Sequence, residues 1–284
     1  YALIIGINNY KFHNILKNAV KDSADLIELL KHKFGFDQEN IIFLTDDFAT
    51  KKNIINSIEI LAKTLDKNDN LLIYYSGHGF YDFETNRGYW IPVDAERGAV
   101  WDYISNADLI DYITKINTLH TFFISDSCFS GSLLKFSNIK YIDKIYKYKS
   151  RQGLSSGRLE LVSDGNNDQN SPFAKAILTY FRNETNDFTA SELSEYVKNN
   201  VAINSQQLPQ DGRFPGDEGG EYVFFINSIN KVPNYSLNKY KDVLASSEKK
   251  EIELKEYLQK LEEAFLILKN LDKSIGTSQL GKIE

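Results

Sequence analysis

Apolar runs and helical stripes alternate through the first 130 residues of the chain. Residues 1–7, YALIIGI, form a short apolar run that stops at Asn8-Asn9. A helical stripe follows over 18–33, with Val20, Ala24, Ile27 and Leu30 toward one side. NIIFLT (40–45) reads as a second strand, and Ile54, Ile58, Leu61 and Leu65 repeat at the spacing of a helix face. NLLIYYS (70–76) is a third strand. Ser105 caps a predicted helix carrying Leu109, Tyr112, Ile113 and Ile116, and LHTFFISD (119–126) is a fourth strand. Apolar strands separated by amphipathic helices predict a parallel sheet covered on both faces. Its crossovers are right-handed, so the strands run the same way and their C-terminal ends line one edge, where open α/β sheets bind ligands.

The pattern then breaks. Residues 134–152 are dense in Lys and Tyr. GLSSGRLELVSDG (153–165) reads as a strand and loop. Ser171-Pro172 starts a helix, as cap and N1 proline. Thr189 and Glu192 make a capping-box pair ahead of Leu193, Tyr196, Val197 and Val201. A Gly/Pro-rich loop (208–221) precedes a last predicted strand, YVFFIN (222–227). Beyond Pro233, Leu254, Leu258, Leu261, Phe265 and Leu268 make a heptad-like stripe on a charged helix. A helix packed on its own domain and a partner-binding coiled coil both fit that stripe.

Composition narrows the class. With 284 residues, 42% hydrophobic and 25% charged, the chain is an ordinary soluble globular one, with room for one large domain and an appendage or for two domains. A net charge of −6 argues against a broad nucleic-acid surface. No apolar run approaches the roughly 18 residues of a membrane span. No secretory signal is visible, and the chain opens at Tyr1 without an initiator methionine, leaving room for residues upstream. Cys128 is the single cysteine, which excludes an internal disulfide and a CxxC zinc site and fits a reducing cytoplasm.

Two strand ends carry the chemistry. The third runs into Ser76-Gly77-His78-Gly79, the fourth into Asp126-Ser127-Cys128-Phe129-Ser130-Gly131. In a parallel sheet both fall at the C-terminal edge. A free thiol is mostly protonated at neutral pH, and a nearby imidazole can take its proton and later protonate a leaving amine. The glycines beside His78 give a substrate backbone room to approach, and the N–H groups of Gly79 and Cys128 are candidate oxyanion donors. Alone, each residue has a plainer reading: a cysteine as core filler, a histidine as a turn residue. The pair at two strand ends is much harder to reach by chance.

YALIIGINNY, IYYSGHG and FISDSCFSG resemble, in order, the first strand, histidine motif and cysteine motif of the caspase-like cysteine peptidases of clan CD, family C14, and among them the bacterial metacaspase-like group. Fifty residues separate His78 from Cys128, the caspase-type interval. The resemblance covers roughly residues 1–228 and implies a three-layer α/β/α sandwich with a mostly parallel central sheet. It makes His78 the general base and acid and Cys128 the nucleophile. It also makes Asp22, Asp126 and Ser76 the wall of an acidic pocket, implying cleavage after Arg or Lys. The Lys-rich stretch matches the family's exposed intersubunit linker, with Lys144, Lys147, Lys149 and Arg151 as candidate self-cleavage points. Many metacaspases bind calcium. The acidic residues here, Asp82, Glu84, Asp94 and Glu96, are scattered over a predicted hairpin, so no cofactor is expected, with calcium the one to test.

The expected organisation is a peptidase domain over 1–230, with 134–152 as linker, and a C-terminal helical extension over 231–284 offering a regulatory contact. The expected partner is a protein or peptide substrate, with no nucleic acid and no membrane, in the cytoplasm. The competing reading is a catalytically silent scaffold acting through its C-terminal helix. A nucleotide-binding domain is disfavoured, because neither GxGxxG nor GxxxxGK[ST] is present.

Overall fold

The computed structural model describes residues 1–127, 146–157 and 169–226. Its strands are β1 (Ala2–Gly6), β2 (Ile41–Thr45), β3 (Asn70–Ser76), β4 (Gly79–Asp82), β5 (Arg87–Trp90), β6 (Ile104–Ser105), β7 (His120–Asp126), β8 (Ser150–Ser155), β9 (Phe188–Thr189), β10 (Gln210–Arg213) and β11 (Val223–Phe224). Its α-helices are α1 (Ala19–Phe34), α2 (Lys51–Thr64), α3 (Asn106–Thr114), α4 (Pro172–Asn183) and α5 (Ala190–Asn204).

The main sheet has the order β10-β8-β7-β3-β1-β2. All neighbours in it are parallel except β10, which pairs antiparallel with β8. The strand period of two sorts the apolar runs between two cores. Ala2, Ile4, Leu72, Tyr74, Phe122 and Ile124 face α1, α4 and α5. Leu3, Ile5, Leu71, Ile73, Tyr75 and Phe123 face α2 and α3. A continuous apolar run is thus what a strand covered on both faces requires, and the fold is the α/β/α sandwich that the run pattern implies. Burying each Leu, Ile or Phe contributes about 1.5–3 kcal/mol.

Local signals set several helix ends. Thr50, Ser105, Ser171 and Thr189 each accept a hydrogen bond from a backbone N–H of the first helical turn. The Thr189–Glu192 capping box is complete. Gly6 lets α1 lie close on β1: a Cβ there would come 2.5 Å from Ser23 Oγ and 2.7 Å from the Ala19 carbonyl oxygen. That close approach brings the first turn of α1 to the C-terminal edge of the sheet.

The second half departs from the sequence pattern in three places. The strand expected from Gly153 starts at Ser150, because Arg151 and Gln152 find buried partners for their polar groups. The sixth strand of the main sheet is Gln210–Arg213, inside the stretch read as a Gly/Pro-rich loop. Its side chains alone would not nominate it; the open edge of β8 supplies its backbone partners. The apolar run 222–227 supplies only Val223–Phe224, paired with β9 and not with the main sheet. Phe224 instead closes an aromatic cluster with Phe34, Phe181 and Phe188.

The chain divides after Asn227 into a second unit, Ser228–Glu284. The heptad-like stripe lies there, outside the described residues. Among the described residues no helix is long and apolar enough to cross a membrane.

Candidate active site

The parallel register of β3 and β7 sets Ser76 opposite Asp126. His78 follows Ser76 by two residues, and Cys128 follows Asp126 by two. Cys128 itself lies outside the described residues. Ser127, which precedes it, is buried, and its hydroxyl lies 3.0 Å from that of Ser125. Trp90 of β5 donates its indole N–H to Ser125 Oγ at 3.1 Å, tying the β4–β5 hairpin to the end of β7.

His78 sits in a cradle built by two tyrosines and the loop after β1. Tyr10 Oη accepts the His78 backbone N–H at 2.7 Å, and the Tyr75 hydroxyl donates to the His78 carbonyl at 2.7 Å. The Tyr10 ring tilts against the imidazole at 4.7 Å. Burial raises the Tyr10 phenol above its ordinary value, so it stays a neutral hydroxyl. His78 Nε2 lies 2.8 Å from the Asn14 carbonyl oxygen. A carbonyl can only accept, so Nε2 carries the hydrogen, and Nδ1 holds the lone pair of the neutral ring.

The loop that carries Asn14 is tied down through other groups. Arg97 Nη2 donates to Asn14 Oδ1 at 3.1 Å. Asp46 accepts from the backbone N–H groups of Asn8 and Asn9 at 2.7 and 2.8 Å, and from Asn9 Nδ2 at 2.8 Å. His13 lies in this loop with its ring 6.2 Å from that of His78. Burial lowers its pKa first, and the neighbouring His78 and Arg97 lower it further, so His13 rests neutral.

Gly77 is required by contact. A Cβ on it would come 2.5 Å from Tyr10 Oη and 2.7 Å from Tyr75 Oη. Gly77→Ala should therefore displace the two hydroxyls that hold the His78 backbone. The expected result is a loss in kcat/KM of about 10²-fold, the scale of a 1 Å misplacement at a reacting group. Peptide hydrolysis rates and a melting curve check it together. Full activity with an unchanged melt would remove the cradle from the account.

Gly79 opens β4 and faces Trp90 of β5. The Ile91 N–H donates to the His78 carbonyl at 3.0 Å, so His78 and Ile91 form the hydrogen-bonded pair of this antiparallel ladder. The alternation of such ladders then turns the Gly79 N–H away from β5.

The second cluster is acidic. Asp22 in the first turn of α1 is 1% exposed and Asp126 at the end of β7 is 5% exposed. Ser171 joins them: its hydroxyl donates to Asp126 Oδ2 at 2.5 Å, and its backbone N–H lies 3.3 Å from both Asp22 carboxylate oxygens. Asn170 Nδ2 donates to Asp22 Oδ1 and to Asp25 Oδ2, each at 2.8 Å. Burial, with the charge of Asp126 beside it, pushes the Asp22 carboxyl up to about 7. Ser76, the third expected member, is buried in register with Asp126. Ser171 reads in sequence only as a helix cap. It does cap α4, accepting the Ala174 N–H at 3.0 Å, but the same hydroxyl reaches Asp126. Nothing local announces that second contact, because the two residues are 45 positions apart.

The candidate self-cleavage points separate. Lys144 lies outside the described residues. Lys147 is exposed. The Lys149 carbonyl accepts the N–H groups of Glu218 and Gly220 at 2.9 and 3.2 Å. Arg151 corrects the linker boundary, since it belongs to β8 and is fully buried. Its guanidinium donates to the carbonyls of Ser150, Ile116 and Thr118 at 2.7, 3.0 and 3.0 Å, and its backbone N–H to Asp217 at 2.8 Å. Cutting after Arg151 would require pulling a central strand out of the sheet.

The acidic residues considered for calcium do not converge. Asp82 closes the β4–β5 turn, accepting from the Glu84 and Thr85 N–H groups and from Thr85 Oγ1. Asp94 accepts the Lys51 N–H. Among the described residues no group of three or more His, Cys, Asp or Glu side chains is placed to hold a metal ion.

A parallel sheet with a histidine motif and an acidic group at one edge defines a caspase-like α/β sandwich, and comparison with known proteins agrees. The family model of the caspase domain, peptidase family C14, matches residues 1–236, and the chain belongs to that family. Metacaspase-1A of Aspergillus oryzae is 27% identical over 272 residues, covering 86% of this chain and 64% of that protein. Metacaspase-1 of Meyerozyma guilliermondii is 33% identical over 147 residues, covering 47% of this chain and 35% of that protein. The chain thus spans less than two thirds of the length of either. Among solved structures, caspase-1 from Spodoptera frugiperda aligns with a TM-score of 0.58 at 18% identity, over 81% of this chain and 91% of that one. A Geobacter sulfurreducens protein aligns at 0.59 and 18%, over 80% and 98%. At that identity the two structures speak for the fold.

Proposed function

We propose that this chain is a cysteine endopeptidase that cuts after Arg or Lys, with Cys128 as nucleophile and His78 as general base and acid. The observation that carries this reading is the Ser76–Asp126 register pair, which brings the strand ends leading to His78 and Cys128 side by side. Nδ1 of His78 takes the thiol proton, leaving a thiolate to attack the scissile carbonyl. The Asn14 carbonyl stabilises the imidazolium through Nε2–H. The tetrahedral oxyanion is met by the N–H groups of Gly79 and Cys128. As the carbon–nitrogen bond breaks, the imidazolium returns the proton to the leaving amine. Water then hydrolyses the thioester by the same base.

The preference for Arg or Lys rests on Asp22 and Asp126, two buried carboxylates that Ser171 holds together. Such a pair favours a guanidinium or ammonium through charge-assisted hydrogen bonds. Self-processing, as part of this reading, falls at Lys144 or Lys147 and not within β8.

Incubation with a peptide library, with and without calcium, tests the reading by mapping the residue before each cut. Cuts after Arg or Lys are expected, together with covalent labelling of Cys128 by an Arg-derived electrophilic peptide. Absence of both under every activating condition would favour a scaffold instead.

A further inference from the structure

The acidic group contains a further buried hydroxyl, beside Ser76. Tyr74 of β3 is 1% exposed, and its Oη, outside ideal hydrogen-bond geometry, has the Ser76 hydroxyl as its side-chain neighbour. Burial and the charges of Asp22 and Asp126 raise its pKa, so the phenol stays neutral, oriented toward both carboxylates and Ser76. A buried hydroxyl held only this loosely keeps hydrogen-bonding capacity for a polar group that enters the site. It stands here beside two carboxylates that are themselves almost fully buried.

Two adjacent buried carboxylates cannot both be ionised at ordinary cost, because each desolvates and repels the other. Groups from four elements surround Asp22. Asp25 and Lys21 share α1, where Lys21 pairs with Asp25. Asp126 comes from β7, Tyr74 and Ser76 from β3, and Asn170 and Ser171 from the entry to α4. Arg182 of α4 acts on Asp25. No described cation bonds to Asp22; its partners are the neutral amide of Asn170 and the N–H of Ser171.

We propose that the buried Asp22–Asp126 pair, bridged by Ser171, holds one proton when no substrate is bound, and that the basic side chain of the substrate displaces it. The inference rests on the Arg/Lys reading above and says how that side chain is admitted. Before binding, two carboxylates and one proton carry a net charge of −1. After binding, two carboxylates and one guanidinium or ammonium carry the same −1, and the proton has passed to the solvent. Substrate entry is therefore an exchange of cations, and the buried site never holds two uncompensated charges. The Tyr74 hydroxyl is placed to accept from the incoming N–H donors.

The sign of the pH dependence follows. Asp22 has its folded pKa raised from 3.8 to about 7. Below about pH 7 a proton competes with the substrate, so KM for an Arg peptide should rise as pH falls, approaching tenfold per unit. Above that range KM should level off. For stability the same shift runs the other way. The contribution of Asp22 is present below 3.8 and is lost as pH rises through about 7. Asp22→Asn should therefore melt higher than the parent at pH 8 when no substrate is present, while losing affinity for the Arg peptide.

Calorimetric titration of full-length Cys128→Ala protein with a tetrapeptide ending in arginine, in buffers of different ionisation enthalpy, tests the exchange directly. Release of about one proton per peptide at pH 6, falling toward zero at pH 8.5, is expected. Asn170→Ala removes a bond that favours the ionised Asp22, so the transition should move to higher pH. Tyr74→Phe should weaken the peptide without lowering the melting temperature. Binding with no proton release, or a KM for Arg peptides independent of pH between 5.5 and 8.5, would overturn the exchange and leave the specificity standing. Failure to bind or cleave any Arg or Lys peptide would overturn both.

Discussion

His78→Ala is expected to lower kcat/KM for peptide hydrolysis by about 10²–10⁴-fold, the range of positioned acid–base catalysis, and Cys128→Ala to abolish it. Two groups set the size of the loss, the imidazole of His78 and the thiol of Cys128. Without the imidazole the thiol keeps its proton, and no acid meets the departing amine. The cradle should survive the substitution, because Tyr10 and Tyr75 bond the backbone of residue 78 and not its ring. His78→Ala protein should thus melt near the parent and still bind an Arg peptide. Because each residue works only through the other, the double variant should lose no more than Cys128→Ala alone. Peptide turnover with matched melting curves decides the matter. His78→Ala activity within a few-fold of the parent would remove the proposed base.

Asp126→Ala is expected to cut kcat/KM for Arg and Lys peptides by roughly 30- to several-thousand-fold. Truncating one partner of a buried charge pair costs about 2–5 kcal/mol, and each 1.4 kcal/mol is about tenfold. The loss has two parts. The substrate cation loses a carboxylate, and the Ser171 hydroxyl loses the acceptor it holds at 2.5 Å. Asp126→Asn keeps the shape and removes the charge, so it should weaken Arg peptides by less than Ala does. Asp126 stands two residues before Cys128, so a general disturbance of the site must be separated from a loss of recognition. Alkylation of Cys128 by a neutral reagent should proceed at the parent rate in Asp126→Asn. Arg-peptide turnover within twofold of the parent in both variants would take Asp126 out of the specificity pocket.

The helices and parallel strands of the first 130 residues were legible because each carries its own period. Ile54, Ile58 and Leu61 repeat as a helix face and are buried as one. The strands YALIIGI and LLIYYS lack alternation because both their faces are covered. The later strands were less legible because their partners, not their own side chains, define them. Gln210–Arg213 is a strand because β8 has an open edge. Arg151 looks in sequence like a linker cation, yet three carbonyls, two in the loop after α3 and one at the start of β8, solvate it inside the protein.

The site divides in the same way. His78, Gly79 and Asp126 stand in short motifs at strand ends, and Asp22 follows from the resemblance. Tyr10, Asn14, Tyr74, Asn170 and Ser171 have no motif of their own. Tyr10 and Asn14 reach His78 because β1 lies beside β3 in the sheet. Ser171 reaches Asp126 because α4 starts over the end of β7. Periodicity and motif chemistry act between near neighbours in the chain, so sequence alone determined the elements and the residue types able to react. Strand order and close helix packing bring together groups separated by 45 to 149 residues, such as Ser171 with Asp126 and with Asp22. Only the tertiary structure decided which hydroxyl, amide and carbonyl hold the reactive groups, because those contacts form once the sheet edge is assembled.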